Sequence, residues 1–103
     1  MTTELGDIIA TRRLYLVDDP ETQVVVNIGK PRPTPQHDDF FCTLQVTGIG
    51  DERVDAIYGI DSIQALLLTL KYAGATLVRL NKMVGGRLRW ECDEGGGFGF
   101  PEL

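Results

Sequence analysis

His37-Asp38-Asp39 is the densest group of chemistry-bearing side chains in this sequence, and the one place where an imidazole stands beside carboxylates. Such nitrogen and oxygen donors suit a divalent ion. Adjacent residues rarely converge on one ion, however, and no second ligand group has matching spacing, so the segment reads as a solvated loop with turn-forming aspartates. His37 is the single histidine, which excludes His-rich metal centres and paired-histidine mechanisms. A Cys–His nucleophile would need Cys42 or Cys92 near His37. Cys42 lies inside an alternating strand pattern, on the inward side, with nothing nearby to lower its pKa. Ser62, the one serine, is better used at a helix start than in a Ser–His–Asp triad. No catalytic residue, cofactor site or metal site is assigned.

Gly95-Gly96-Gly97-Phe98-Gly99-Phe100 has the composition of a phosphate-binding loop. Its context is wrong, because those loops join a strand to a helix and no helical pattern follows here. Two readings stand: a tail docked through Phe98 and Phe100, or an interaction tail whose aromatics anchor in a groove. A ligand pocket between sheet and tail would be lined by Arg87, Arg89, Trp90 and Phe98. The carboxylates come in pairs: Asp18/Asp19, Asp38/Asp39, Asp51/Glu52 and Asp93/Glu94. Each pair falls in a turn or loop. They form a solvated acidic rim or, if those loops gather at the sheet ends, a docking surface for a basic partner.

The scaffold that must position these groups is small. At 103 residues the chain is one domain, with a glycine-rich tail over 93–103. A hydrophobic share of 43% and a charged share of 24% suffice for one core without metal or disulfide staples. The net charge of −5 argues against nucleic acid, whose phosphates call for clustered Lys and Arg. No apolar run approaches the roughly 18 residues of a membrane span, and the first residues lack the basic and apolar regions of a signal peptide. A cytoplasmic address follows. In a reducing compartment Cys42 and Cys92 are expected as small buried hydrophobes, with a disulfide as the alternative.

Alternation predicts strands over 8–17, 22–28, 40–47, 53–60 and 87–92. The inward rows are Ile8, Ala10, Leu14 and Leu16; Val24, Val26 and Ile28; Phe40, Cys42, Leu44 and Val46; Val54, Ala56, Tyr58 and Ile60; and Leu88, Trp90 and Cys92. Arg12 breaks the first row and marks a bend or an edge. The three prolines of 29–39 forbid a central strand there. Asp61 or Ser62 caps a helix, and Gln64 can reach back as in a capping box. Ile63, Leu66, Leu67, Leu70, Gly74 and Leu77 recur at helical spacing and should face the core. Gly74 then marks close approach to a strand, and Gly85-Gly86 ends the helix. The order β-β-β-β-α-β reads as an α+β fold, a mostly antiparallel sheet of four to five strands with one long helix on one face.

The run Gly59-Ile60-Asp61-Ser62-Ile63-Gln64-Ala65-Leu66, after Ala10-Thr11-Arg12-Arg13-Leu14 and before Leu88-Arg89-Trp90, resembles a family of small bacterial proteins known as a domain of unknown function. The resemblance spans about residues 8–101 and implies fold only. The function expected is a non-enzymatic protein-binding module, in concrete form an immunity-type protein neutralising a basic partner. The alternative is a small ligand-binding domain or enzyme with the sheet–tail pocket. Leu68 and Tyr72, on the predicted outer helix face with Ala65 and Ala75, suggest a homodimer seam, together with Val25, Phe41 and Ile57 on the sheet.

Overall fold

A computed structural model of the chain describes residues 3–91 and 97–102. The elements are β1 (Ile8–Leu16), β2 (Asp19–Gly29), β3 (Arg32–Pro33), β4 (Phe40–Thr47), β5 (Val54–Gly59), α1 (Ser62–Met83) and β6 (Leu88–Arg89). Every pairing is antiparallel. Across the sheet the order runs β5, β4, β2, β1, β6, with β3 continuing the β2 side of β4 at Phe40 and Phe41. It is an α+β fold with one helix-covered face.

The strand rows hold where the core demands them. Leu14, Leu16, Val24, Val26, Ile28, Cys42, Leu44 and Val46 are buried. Ile8 and Ala10 are exposed, since a register shift separates them at the start of β1. The hairpin turn is only Val17-Asp18, so β2 begins at Asp19, earlier than alternation indicated. The proline loop gains a two-residue pairing at its edge, where missing N–H donors cost little. Of the predicted last strand only Leu88–Arg89 pairs, and Cys92 lies outside the described residues.

Two assignments reverse. Cys42 stands opposite Ile57 and Phe40 opposite Gly59, so Asp55, Ile57 and Gly59 share the helix-covered face. Val54, Ala56 and Tyr58 lie on the other side, where Tyr58 packs on Phe41 with ring centroids 5.9 Å apart. Ile60 is exposed beyond the strand end. The second reversal concerns α1. Its buried residues are Ala65, Thr69, Ala73, Thr76, Leu77 and Leu80, while Ile63 and Leu67 are 68% and 49% exposed. Small side chains let the helix axis approach the sheet more closely than leucines would. A Cβ on Gly59 would overlap the Ala65 backbone nitrogen and lie 2.8 Å from its Cα. That contact rotates the helix so that its leucine-rich stripe lies to one side.

The helix ends follow the sequence closely. Asp61 accepts from Gln64 N (2.8 Å), and the Gln64 side chain accepts from Ile60 N (2.6 Å), one residue before the standard capping-box position. At the other end Gly86 N donates to Asn81 O (2.8 Å), a closure that the φ of +69° at Gly85 permits. By length and composition α1 could cross a bilayer, but its small-residue face is the one packed on β4 and β5. On the opposite sheet face the chain before β1 is tied down. Thr43 Oγ1 donates to Leu5 O (2.6 Å), and Arg32 donates to Glu4 O (2.7 Å). Cys42 is fully buried and donates to Gly29 O (3.1 Å), and burial pushes its thiol above the ordinary value.

Two outcomes follow. Gly59→Ala is expected to cost about 1–3 kcal/mol in urea unfolding, because the added methyl overlaps backbone; an unchanged midpoint would refute the close approach. With Cys92→Ser in the background, Cys42 resists alkylation until the protein unfolds. Its raised folded pKa means stability is unaffected below the free-thiol pKa and declines as pH rises above it, since only the unfolded chain then ionises. A urea titration repeated across alkaline pH reads this slope.

Candidate functional site

Because α1 lies over β4 and β5, the β1–β2 side of the same face needs another cover. The C-terminal segment 97–102 supplies it. Arg12, the break in the apolar row of β1, is its anchor. The guanidinium carbon sits 4.1 Å from the Trp90 ring centroid and 4.7 Å from that of Phe100. Arg12 Nη1 donates to Phe98 O (2.8 Å). A guanidinium is weakly hydrated and planar, so it tolerates this position when its faces are stacked. Phe98 is 6% exposed and joins the core, while Trp90 and Phe100 pack on it partly buried.

Glycine makes the arrangement fit. A Cβ on Gly99 would lie 2.7 Å from both Arg12 Nη1 and Trp90 Cη2, at a φ of +78° that side chains disfavour. Gly74 faces this segment and not a strand: its added Cβ would meet Phe100 Cβ at 3.0 Å. The chain turns just before, at Glu91, where φ is +52° and Tyr15 Oη donates to the carbonyl (3.1 Å).

Two openings flank Phe100. A groove of about 280 Å³ runs between α1 and the C-terminal segment, lined by Lys71, Gly74, Ala75, Val78, Phe98, Phe100 and Pro101 among others. A smaller cavity of about 110 Å³ lies between the sheet and α1, lined by Ala10, Thr11, Arg12, Val26, Ile28, Leu70 and Phe100. Ile63, Leu67, Gly74 and Val78 fall on one side of the helix by their spacing, and Gly74 and Val78 line the groove. Val78 is 51% exposed. Of the stripe read from sequence as the core face, Leu77 is buried and Leu66 and Leu70 pack on the core, whereas Ile63 and Leu67 are exposed.

The residues singled out from sequence divide. Phe98 lines the groove, and Trp90 stands behind Arg12. Arg87 and Arg89 do not reach either opening. Arg87 ion-pairs with Asp18 (2.7 Å) and donates to Val84 O, and Arg89 donates to Gly86 O and Leu88 O. That pairing holds the exposed Asp18 carboxyl below its usual range. Leu68 is 38% exposed on the other helix flank. Tyr72 packs partly buried against the core, near Arg53. Ala65, expected outside, is fully buried, and Ile57 lies on the core side. Arg53 is held protonated chiefly by Asp55, with Tyr72 and Asp51 adding to it. His37 and Asp38 are exposed in their loop. Among the described residues no three His, Cys, Asp or Glu side chains gather where they could hold a metal. Asp93, Glu94 and Gly95–Gly96 lie outside the described residues. Phe100 fits the reading of a tail docked through its aromatics, whereas Arg12, a cation in an apolar row, gave no sequence signal of its aromatic partners, and the Lys71–Val78 flank gave none at all.

The molecule is thus a small α+β domain whose apolar sheet face is shared between one helix and an irregular C-terminal segment. The chain belongs to the family described as Domain of unknown function (DUF6968), whose model matches residues 10–102. The match includes both the helix and the C-terminal cover. No curated protein and no solved structure matches the chain.

Phe98→Ala is expected to cost about 3–5 kcal/mol, the usual loss for a buried phenylalanine. Trp90, the one tryptophan, should shift its emission to the red as the cover lifts. A variant with wild-type stability and emission would show that segment 97–102 is not part of the core.

Proposed function

We propose that this protein is a non-enzymatic protein-binding module that works through the tail-side flank of α1. The observation carrying this reading is the exposed apolar side of α1, formed by Ile63, Leu67 and Val78, of which Val78 lines the groove. Large apolar side chains set in a row beside a concavity cost solubility unless a partner covers them. The groove offers a place for an inserted anchor, and among the described residues Lys71 is its one cation. Buried anchors of this kind dominate protein–protein affinity.

Charge shapes the partner. The net charge of −5 favours a basic protein, drawn in by long-range attraction. Asp18, Asp51 and Asp55 are already engaged with Arg87 and Arg53, so that attraction is diffuse and the apolar flank supplies the contact. An immunity-type role, in which the module caps a basic partner, is the concrete form of this proposal.

A photo-crosslinking amino acid placed at Leu67 or Val78 in living host cells should trap a single stoichiometric protein adduct. The same residue at Gln23, on the opposite sheet face, should trap none. Adducts equal at all three positions, or none at Leu67 and Val78, would overturn the assignment. Leu67→Asp should remove the adduct formed at position 78 while leaving thermal unfolding nearly unchanged, because Leu67 is half exposed.

A further inference from the structure

The proposed contact uses the outside of α1 and leaves the smaller cavity beneath Phe100 without a role. That cavity has an unusual lining. Ala10, Val26, Ile28, Leu70 and Phe100 make its walls apolar, and Arg12 is the single charged residue among those that line it. The Arg12 guanidinium carbon lies over both the Trp90 and the Phe100 ring, at 4.1 and 4.7 Å from their centroids. A guanidinium carries five N–H donors in its plane. One of them goes to Phe98 O. Among the described residues no carboxylate lies within ion-pair distance of Arg12. Partly buried arginines normally find an acidic partner, because the cation is costly to desolvate alone.

We infer that this cavity is a binding site for a small aliphatic carboxylate. The hydrocarbon part lies against Ala10, Val26, Ile28 and Leu70. The carboxylate accepts from the free edge of Arg12, the planar pairing for which a guanidinium is suited. Trp90 and Phe100 pack on the guanidinium and so limit the freedom it loses on binding. A volume of about 110 Å³ suits a short chain and not a long-chain lipid. This site does not depend on the protein-binding reading and stands or falls separately from it.

The test needs only the wild-type protein. Trp90 touches Arg12 and is the one tryptophan, so its emission reports on the guanidinium directly. Hexanoate titrated into the protein should give a saturable change. Hexan-1-ol, with the same chain and no charge, should bind at least about tenfold more weakly, the factor a lost charge-assisted contact of about 1.4 kcal/mol gives. Hexylammonium should give no saturable change. Arg12→Lys keeps the charge but loses the planar fork, and should weaken hexanoate several-fold. Its far-ultraviolet circular dichroism would show whether it is folded. No saturable response to hexanoate, or equal binding of hexanoate and hexan-1-ol, would overturn the inference whatever the variant does.

Discussion

Arg12 packed on Trp90 and Phe100 is the contact on which the rest of the architecture depends. A sheet of this width has more apolar face than one helix covers, and α1 lies over β4 and β5. The β1–β2 side would be open to water without segment 97–102. That segment has no ladder of backbone hydrogen bonds to hold it. It is held by two rings on a cation, one bond from Arg12 to Phe98 O, and the burial of Phe98. A charged residue in an apolar row would ordinarily be a defect. Here it is tolerated because its stem lies along the strand while its planar head is sheltered by aromatics.

The way α1 sits on the sheet produces the surface that remains. Ala65, Thr69, Ala73 and Thr76 bring the helix close, and Thr69 satisfies its buried hydroxyl by donating to Ala65 O (2.7 Å). Once that narrow face is chosen, Ile63, Leu67 and Val78 cannot also point inward, since they lie around the side of the cylinder. Val78 lines the groove in which Gly74 admits Phe100. Close packing on one side and apolar exposure on the other are two consequences of one rotation. The same rotation sets Leu68 and Tyr72 on the β5 side, where Tyr72 meets Arg53.

Charged residues mostly close the ends of the elements. Arg87 joins the β1–β2 turn to the segment after the helix through Asp18 and Val84 O. Arg53 gathers Asp51 and Asp55 at the start of β5. These surface pairs contribute little stability individually, but they direct arginines inward to local partners. What distinguishes Arg12 is that its stacked guanidinium has no such carboxylate among the described residues.

Much of the fold was legible in the sequence because it rests on local rules. Alternation gave the inner rows of β2 and β4, since a residue on the wrong side would bury a polar group or expose a valine. Asp61, Gln64 and Gly86 marked the helix ends because orphan backbone groups there must be satisfied by neighbours in the chain. The stripe Ile63-Leu66-Leu67-Leu70 was equally visible, yet only Leu66 and Leu70 of it pack on the core, while Ile63 and Leu67 stay exposed. Periodicity identifies an apolar side of a helix but cannot say which side a sheet will accept. That was decided by Gly59 meeting Ala65, a contact between residues whose smallness leaves almost no hydrophobic signal. The face of β5 was misread for the same reason, since Gly59 and Asp55 do not look like core residues. The site was the least legible. Arg12, Trp90 and Phe100 stand far apart in the chain, and only the long-range return of segment 97–102 across β1 turns an irregular arginine and a glycine-rich tail into one structure.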